Sequence, residues 1–170
     1  MNKNELLSKN KAFIDGMDED KLSLLKKLSK GQNPSVCVLA CSDSRVIPEE
    51  IFNSSFGEIF TIRSAGNVVN VGELASLEYA IEHLRIKLVV VLGHTHCGAV
   101  HASIHNEKGK YIDPILDKIK ENILDEVDEI EASKKNAVKV KEYIENKFPH
   151  NDIEVVAMLY DIEDGKVNIL

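Results

Sequence analysis

Val36-Cys37-Val38-Leu39-Ala40-Cys41-Ser42-Asp43-Ser44-Arg45 is the stretch on which the fold turns. Residues 36–40 form a continuous apolar run after Pro34, with no alternation of polar side chains. A strand buried on both faces reads this way, and burial on both faces belongs to parallel sheets covered by crossover helices. Cys41, Asp43 and Arg45 follow at the strand's carboxyl end, where open α/β sheets gather their ligand sites.

Working outward, three more runs read as strands: Ile59 to Ile62 after Gly57, Leu88 to Leu92 ending at Gly93, and Ile153 to Tyr160. A final segment, Lys166 to Leu170, follows Asp164-Gly165, a hairpin turn pair. Helical periodicity lies between the strands. Residues 73–85 place Leu74, Leu77, Ala80, Ile81 and Leu84 on one face. Residues 112–147 read as one long helical region with Ile115, Ile119, Val127, Ile130, Val138 and Ile144 inward, its many Glu and Lys solvated, stopped by Pro149 and Asn151. Residues 2–30 read as one or two amphipathic helices interrupted near Gly16, with Gly31 as a C-cap. The fold class is therefore α/β: a mostly parallel central sheet of about four strands plus an antiparallel edge strand, flanked by helices. At 170 residues the chain is expected to be a single domain, 1–170, with residues 1–30 as an N-terminal helical arm.

The net charge of −7 argues against a nucleic-acid partner, which would need a basic face. The longest apolar runs are far too short to span a membrane, and the opening MNKNELLSKN has no secretory apolar region. A cytoplasmic protein with no membrane partner is expected. Three cysteines, Cys37, Cys41 and Cys97, are too few and too oddly numbered for a disulfide framework.

Two clusters carry chemistry. Cys41-Ser42-Asp43-Ser44-Arg45 follows the first strand, and His94-Thr95-His96-Cys97-Gly98 follows the third. Cys41, His94 and Cys97 make a Cys2His set, and three protein ligands with an open fourth position is the pattern of catalytic zinc. His-x-x-Cys at the start of a helix turns both side chains to one point, and the helix start favours a thiolate at Cys97. Gly98 is expected to permit a close backbone approach. A closed structural zinc site and a metal-free reading compete with this one. Cys37 is the obvious fourth thiol, but four residues along a strand is about 13 Å. His96 is nearer, yet adjacent side chains usually diverge. Asp43 and Arg45, two apart in extended backbone, would face the same side, the arginine keeping the carboxylate ionised and aimed; the plainer alternative is a surface ion pair. His101 and His105, four apart on a helix, could bind metal or relay protons, but an exposed face is the reading favoured there. His83 and His150 carry no signal. There is no G-x-G-x-x-G after the first strand and no Cys-x-x-Cys.

Cys-x-Asp-x-Arg followed by His-x-x-Cys, standing here as CSDSRV and GHTHCGAV, resembles the signature of the β-class carbonic anhydrases. FGEIFTIRSAGNVV, SLEYAIEHL and LYDIEDGKV are similar to further family segments, so the likeness runs from Gln32 onward, the charged 105–147 region excepted. The resemblance implies one Zn2+ per chain on Cys41, His94 and Cys97, with Asp43 and Arg45 as an orienting dyad. It implies reversible hydration of carbon dioxide to bicarbonate and a proton, by attack of zinc-bound hydroxide. It also implies a pocket of the plant-like subgroup at Gln32, Phe60 and Tyr79, with Gly98 beside it and Ala65 where that subgroup carries valine. A homodimer or a dimer-based oligomer follows, with the N-terminal segment laid across a neighbour and the site near the interface. Hydrolysis of carbonyl sulfide or carbon disulfide on the same scaffold is the competing enzyme reading. A non-catalytic zinc-binding module is the other, and the Asp43–Arg45 pair argues against it. Part of the family lets the aspartate turn onto the metal; the plant-like match and the absence of Trp lead to the expectation that Asp43 pairs with Arg45 at neutral pH.

Overall fold

The computed structural model describes residues 1–149 and 152–170, so the helix stop expected at Asn151, and His150, lie outside the described residues. Internal contacts divide the chain into two compact units, Met1–Asn33 and Pro34–Leu170. The first holds α1 (Lys3–Asp15) and α2 (Glu19–Leu28). Asn2 and Glu5 close a capping box at the start of α1, and the Asp18 carboxylate caps α2, satisfying backbone donors that a helix start leaves without partners. The break falls at Gly16, as its sequence implied. Ser29, rather than Gly31, is the C-cap of α2. No residue of either helix is buried.

The second unit is built on a five-stranded sheet in the order β2-β1-β3-β4-β5, from β1 (Val36–Cys41), β2 (Ile59–Ser64), β3 (Leu88–His94), β4 (Glu154–Tyr160) and β5 (Val167–Ile169). The first four strands are parallel and β5 is antiparallel to β4. This is the α/β architecture read from the sequence. β1 and β3 lie inside the sheet, which is why their apolar runs are unbroken: every residue but the first of each is buried. β4 alternates buried and part-buried positions, as a strand with one better-covered face should.

Helices cover one face. Cys37, Leu39, Val89 and Val91 pack there against Leu77, Ala80 and Ile81, and against Ala137, Val140 and Ile144 of α7 (Glu129–Lys147). Gly93 lets α7 press on β3, since a Cβ there would stand 3.2 Å from Ala137 Cβ and 3.3 Å from the Ser133 carbonyl. The other face carries Val38, Ala40, Val90 and Leu92, closed in part by Val46 and Ile51. A groove of about 500 Å³ lined by Val36, Val38, Ile59, Leu88, Val90 and Met158 opens on it.

Three local expectations change. The 73–85 helix begins earlier, as α4 (Val71–Glu78) behind an Asn70–Glu73 capping box, and continues through a wider π turn, Tyr79–His83. The 112–147 region is two helices: α6 (Asp113–Ile123) ends where Leu124 takes φ 55°, and Asp128 caps α7 afresh. Val127 and Ile130, expected inward on a continuous helix, are 77% and 41% exposed because they fall in and just after that break. Two short helices, α3 (Pro48–Ile51) and α5 (Gly98–Ile104), follow the chemistry-bearing segments.

Candidate metal centre

The chain leaves β1 for β2 on one side and returns as β3 on the other, so the carboxyl ends of β1 and β3 flank a topological switch point. Cys41 ends β1, His94 ends β3, and Cys97 is the N-cap of α5. All three side chains are buried, and one ligand atom from each lies within 4.8 Å of the others. Cys41 Sγ and Cys97 Sγ are 4.0 Å apart. Two thiolates on a tetrahedral zinc with bonds of about 2.3 Å stand about 3.8 Å apart, so the sulfurs already span a zinc ion.

Further features test the fit. His94 Nδ1 lies 2.8 Å from the Thr95 carbonyl, to which it donates; this fixes the tautomer and leaves Nε2 with its lone pair. Nε2 is buried with no hydrogen-bond partner among the described residues, a state that costs free energy unless something binds it. The two thiols compete for one negative charge. The Cys97 S–H beside it draws Cys41 down from the ordinary thiol range, while that same hydrogen bond and burial push Cys97 up. A divalent cation between them lets both ionise. Cys41 Sγ accepts the Gly66 N–H at 3.2 Å, and the backbone at Ala99 and Val100, in the first turn of α5, partly offsets the upward push on Cys97. The donor set therefore fits zinc. Cys37 lies in the core on the helix-covered face, its thiol pushed up by burial to about 12, which removes it from the ligand set.

Asp43 and Arg45 are paired, though not through extended backbone. A β-turn, with the Val46 N–H on the Asp43 carbonyl at 3.0 Å, brings the side chains together. Asp43 Oδ1 accepts the Arg45 backbone N–H at 2.9 Å and its Nε at 3.0 Å; Oδ2 accepts Nη2 at 2.7 Å. The Arg45 guanidinium holds the Asp43 carboxyl well below the usual carboxylate range. Arg45 Nη2 also donates to the His96 carbonyl at 3.1 Å, joining the two motifs. His96 itself sits at φ 55°, its ring 3.0 Å from Glu163.

Several supports were not read from the sequence. Arg63 donates to the Cys41 carbonyl at 3.1 Å and the Asp43 carbonyl at 2.6 Å, clamping the turn. Gly66, at φ 64°, presents its N–H to Cys41 while its carbonyl accepts the fully buried Asn136 Nδ2 at 2.8 Å; Asn136 in turn accepts from Asn122. The only hint was the Gly-Asn pair after β2, a dipeptide suited to left-handed backbone.

The expected pocket residues fall in different places. Ala65 follows Ser64, which pairs in register with Cys41, so it stands at the metal's end of the sheet. Gly98 opens α5, but a Cβ there would meet nothing within 4 Å, so the close approach expected of it is not made within this chain. Phe60 and Tyr79 do meet, with ring centroids 6.1 Å apart. Phe60 is level with Cys37, however, about 13 Å along the sheet from Cys41. Gln32 belongs to the N-terminal unit.

A buried Cys2His set at a switch point, with an arginine-clamped aspartate beside it, defines a zinc enzyme on an α/β sheet. A family model described as carbonic anhydrase matches residues 36–167. "Carbonic anhydrase 2" of Mycobacterium tuberculosis is 30% identical over 156 residues, covering 82% of this chain and 75% of its own length. A carbonic anhydrase of Synechocystis is 31% identical over 181 residues, covering 91% of this chain and 66% of its own. The β-carbonic anhydrase CafA of Aspergillus fumigatus superposes with a TM-score of 0.86 at 26% identity, over 98% of this chain and 89% of that one. The chain belongs to the carbonic anhydrase family, in its β class. It is a zinc enzyme that interconverts carbon dioxide and bicarbonate.

Proposed function

We propose that Cys41, His94 and Cys97 hold the zinc, that Asp43 stays off the metal, and that Asp43 and Arg45 orient the reacting oxygen. Zinc, when bound, supplies the Lewis acidity that makes water a nucleophile near neutral pH. The chain's own residues then set direction. An ionised carboxylate offers about four lone-pair sites, and Arg45 occupies three of those on Asp43. The fourth, on Oδ2, is left to accept the proton of the attacking hydroxyl and aim its lone pair at the carbon of carbon dioxide. Removing water from around a fixed acceptor makes its orientation cheap at the moment of reaction. The observation that carries this reading is Arg45 Nη2 shared between Asp43 Oδ2 and the His96 carbonyl, which ties the acceptor to the segment bearing Cys97.

The substrate pocket, on this reading, is of the plant-like kind and is shared between subunits. Phe60 lies far along the sheet from its own Cys41, with the Tyr79 ring against it, and so the two serve the metal centre of a partner, together with Gln32. The uncovered apolar groove on the sheet and the exposed Leu6, Leu7 and Ile14 of α1 support a homodimer, or a larger assembly of dimers, that buries them. Ala65 and Gly98 complete the mouth near the metal. No helix among the described residues is long and apolar enough to cross a membrane, and the acidic balance supports a cytoplasmic setting with no nucleic-acid partner.

Stopped-flow carbon dioxide hydration, with zinc quantified in the same sample and carbonyl sulfide and carbon disulfide turned over in parallel, tests the proposal. Rapid hydration proportional to zinc content, with slow turnover of both sulfur substrates, is expected; the reverse preference would contradict it. Light scattering that showed a stable, active monomer at micromolar concentration would remove the shared pocket.

A further inference from the structure

A second cluster of metal-ligating side chains stands outside the centre just described. His101 and His105 are one helical turn apart at the end of α5, and Glu129 is the first residue of α7. One donor atom from each lies within 4.8 Å of the others. His101 Nδ1 is 2.7 Å from Glu129 Oε1, and the two imidazole rings are 4.2 Å apart between centroids, tilted by 50°. We propose that His101, His105 and Glu129 form a second divalent-metal site on the surface, for a late transition ion such as Zn2+ or Ni2+.

Three features support it. Histidines at i and i+4 on a helix share one face, the spacing by which His-x-x-x-His binds zinc. The donors are two imidazole nitrogens and a carboxylate oxygen, which suit zinc and nickel and disfavour magnesium or calcium. The third feature is spacing. A metal bonded to imidazole and carboxylate at about 2.0–2.2 Å sets those atoms about 3 Å apart, close to the separation already present, so the ion takes the place of the hydrogen-bonded proton with little movement. An ion pair with Glu129 needs only His101. His105 adds the third donor, and its ring makes no hydrogen bond or ion pair among the described residues. All three groups are at least partly exposed, so an ion can reach them and water can complete its coordination. Occupancy ties the end of α5, whose N-cap is Cys97, to the start of α7.

The test is a calorimetric titration of Ni2+ into untagged enzyme already carrying its zinc, with zinc counted before and after. One nickel per chain is expected at micromolar concentration, with zinc retained and the His101 and His105 ring proton resonances broadened by the paramagnetic ion. His105→Ala should weaken nickel binding by at least about tenfold, and His101→Ala/His105→Ala should abolish it, while zinc content stays the same. Nickel that binds the double variant as it binds wild type, nickel that enters only by displacing zinc, or no binding below about 1 mM would each overturn the proposal.

Discussion

Cys41 Sγ and Cys97 Sγ lie 4.0 Å apart although 56 positions separate them in the chain. The neighbouring parallel strands β1 and β3 bring them there. The remaining donor of the set, His94 Nε2, is buried and lacks a hydrogen-bond partner among the described residues. Removing either thiol therefore removes a ligand and leaves no substitute, because Cys37 is committed to the core. Cys41→Ala is expected to lose most bound zinc and nearly all activity. Cys37→Ala should keep both, at a cost of about 1 kcal/mol in stability. Elemental analysis alongside hydration assays checks this; equal losses from the two substitutions would reverse the assignment.

Asp43→Asn keeps the shape of the turn but places an NH2 where Arg45 and the reacting hydroxyl both need an acceptor. Zinc content should be unchanged and kcat should fall by about a hundredfold or more. A variant that lost zinc in proportion to activity would show that Asp43 serves the fold rather than the reaction.

Gly66 serves the sulfur from behind. At φ 64° an alanine is strained, and its Cβ would stand 2.6 Å from Ile119 Cδ1. Gly66→Ala should destabilise the protein by about 1–3 kcal/mol and weaken zinc retention, since the N–H on Cys41 Sγ must move. Competition with a chromogenic chelator, whose zinc complex absorbs, reads the second effect as the rate at which that absorbance grows.

Asn136→Ala removes the buried amide that holds the Gly66 carbonyl at 2.8 Å and leaves Asn122 without its acceptor. The expected cost is about 1–3 kcal/mol from buried groups left without partners. Chemical denaturation of the zinc-loaded protein measures it. A loss below a few tenths of a kcal/mol would show that the network is not coupled to the fold.

Cys37 gives a pH dependence. Burial pushes its thiol from 9.0 up to about 12 in the folded protein. The unfolded chain then ionises first, so the contribution is fully present below the unfolded value and is lost as pH rises from about 9 toward about 12, by about 1.4 kcal/mol per unit. Denaturation midpoints under reducing conditions should fall more steeply above pH 9 in wild type than in Cys37→Ala. Parallel slopes would contradict the burial argument.

The strands that decide the fold were legible because β1 and β3 are buried on both faces, which leaves unbroken apolar runs in the sequence. The metal set was legible because its residues stand at the ends of those runs. The helix break at Leu124 was not, since the charged pattern from 112 to 147 is helical on both sides of it. Arg63 and Asn136 were hidden for another reason: each acts on backbone carbonyls far away in sequence, and no side-chain pattern records that. Asp43 and Arg45 were paired correctly on the wrong geometry, because a turn and an extended segment both bring residues two apart into reach. Phe60 and Tyr79 do touch as an adjoining pair, but the register of β1 with β2 that sets Phe60 level with Cys37 is a long-range pairing that no local pattern records.

The central claim is that zinc has three protein ligands and an open fourth position, with Asp43 held off by Arg45. Zinc-edge X-ray absorption of the enzyme near neutral pH, with and without a coordinating anion, tests it most directly. The account predicts two sulfurs, one nitrogen and one light ligand that the anion displaces, unchanged in Asp43→Asn. A fourth ligand that no anion displaces, and that disappears in Asp43→Asn, would contradict it.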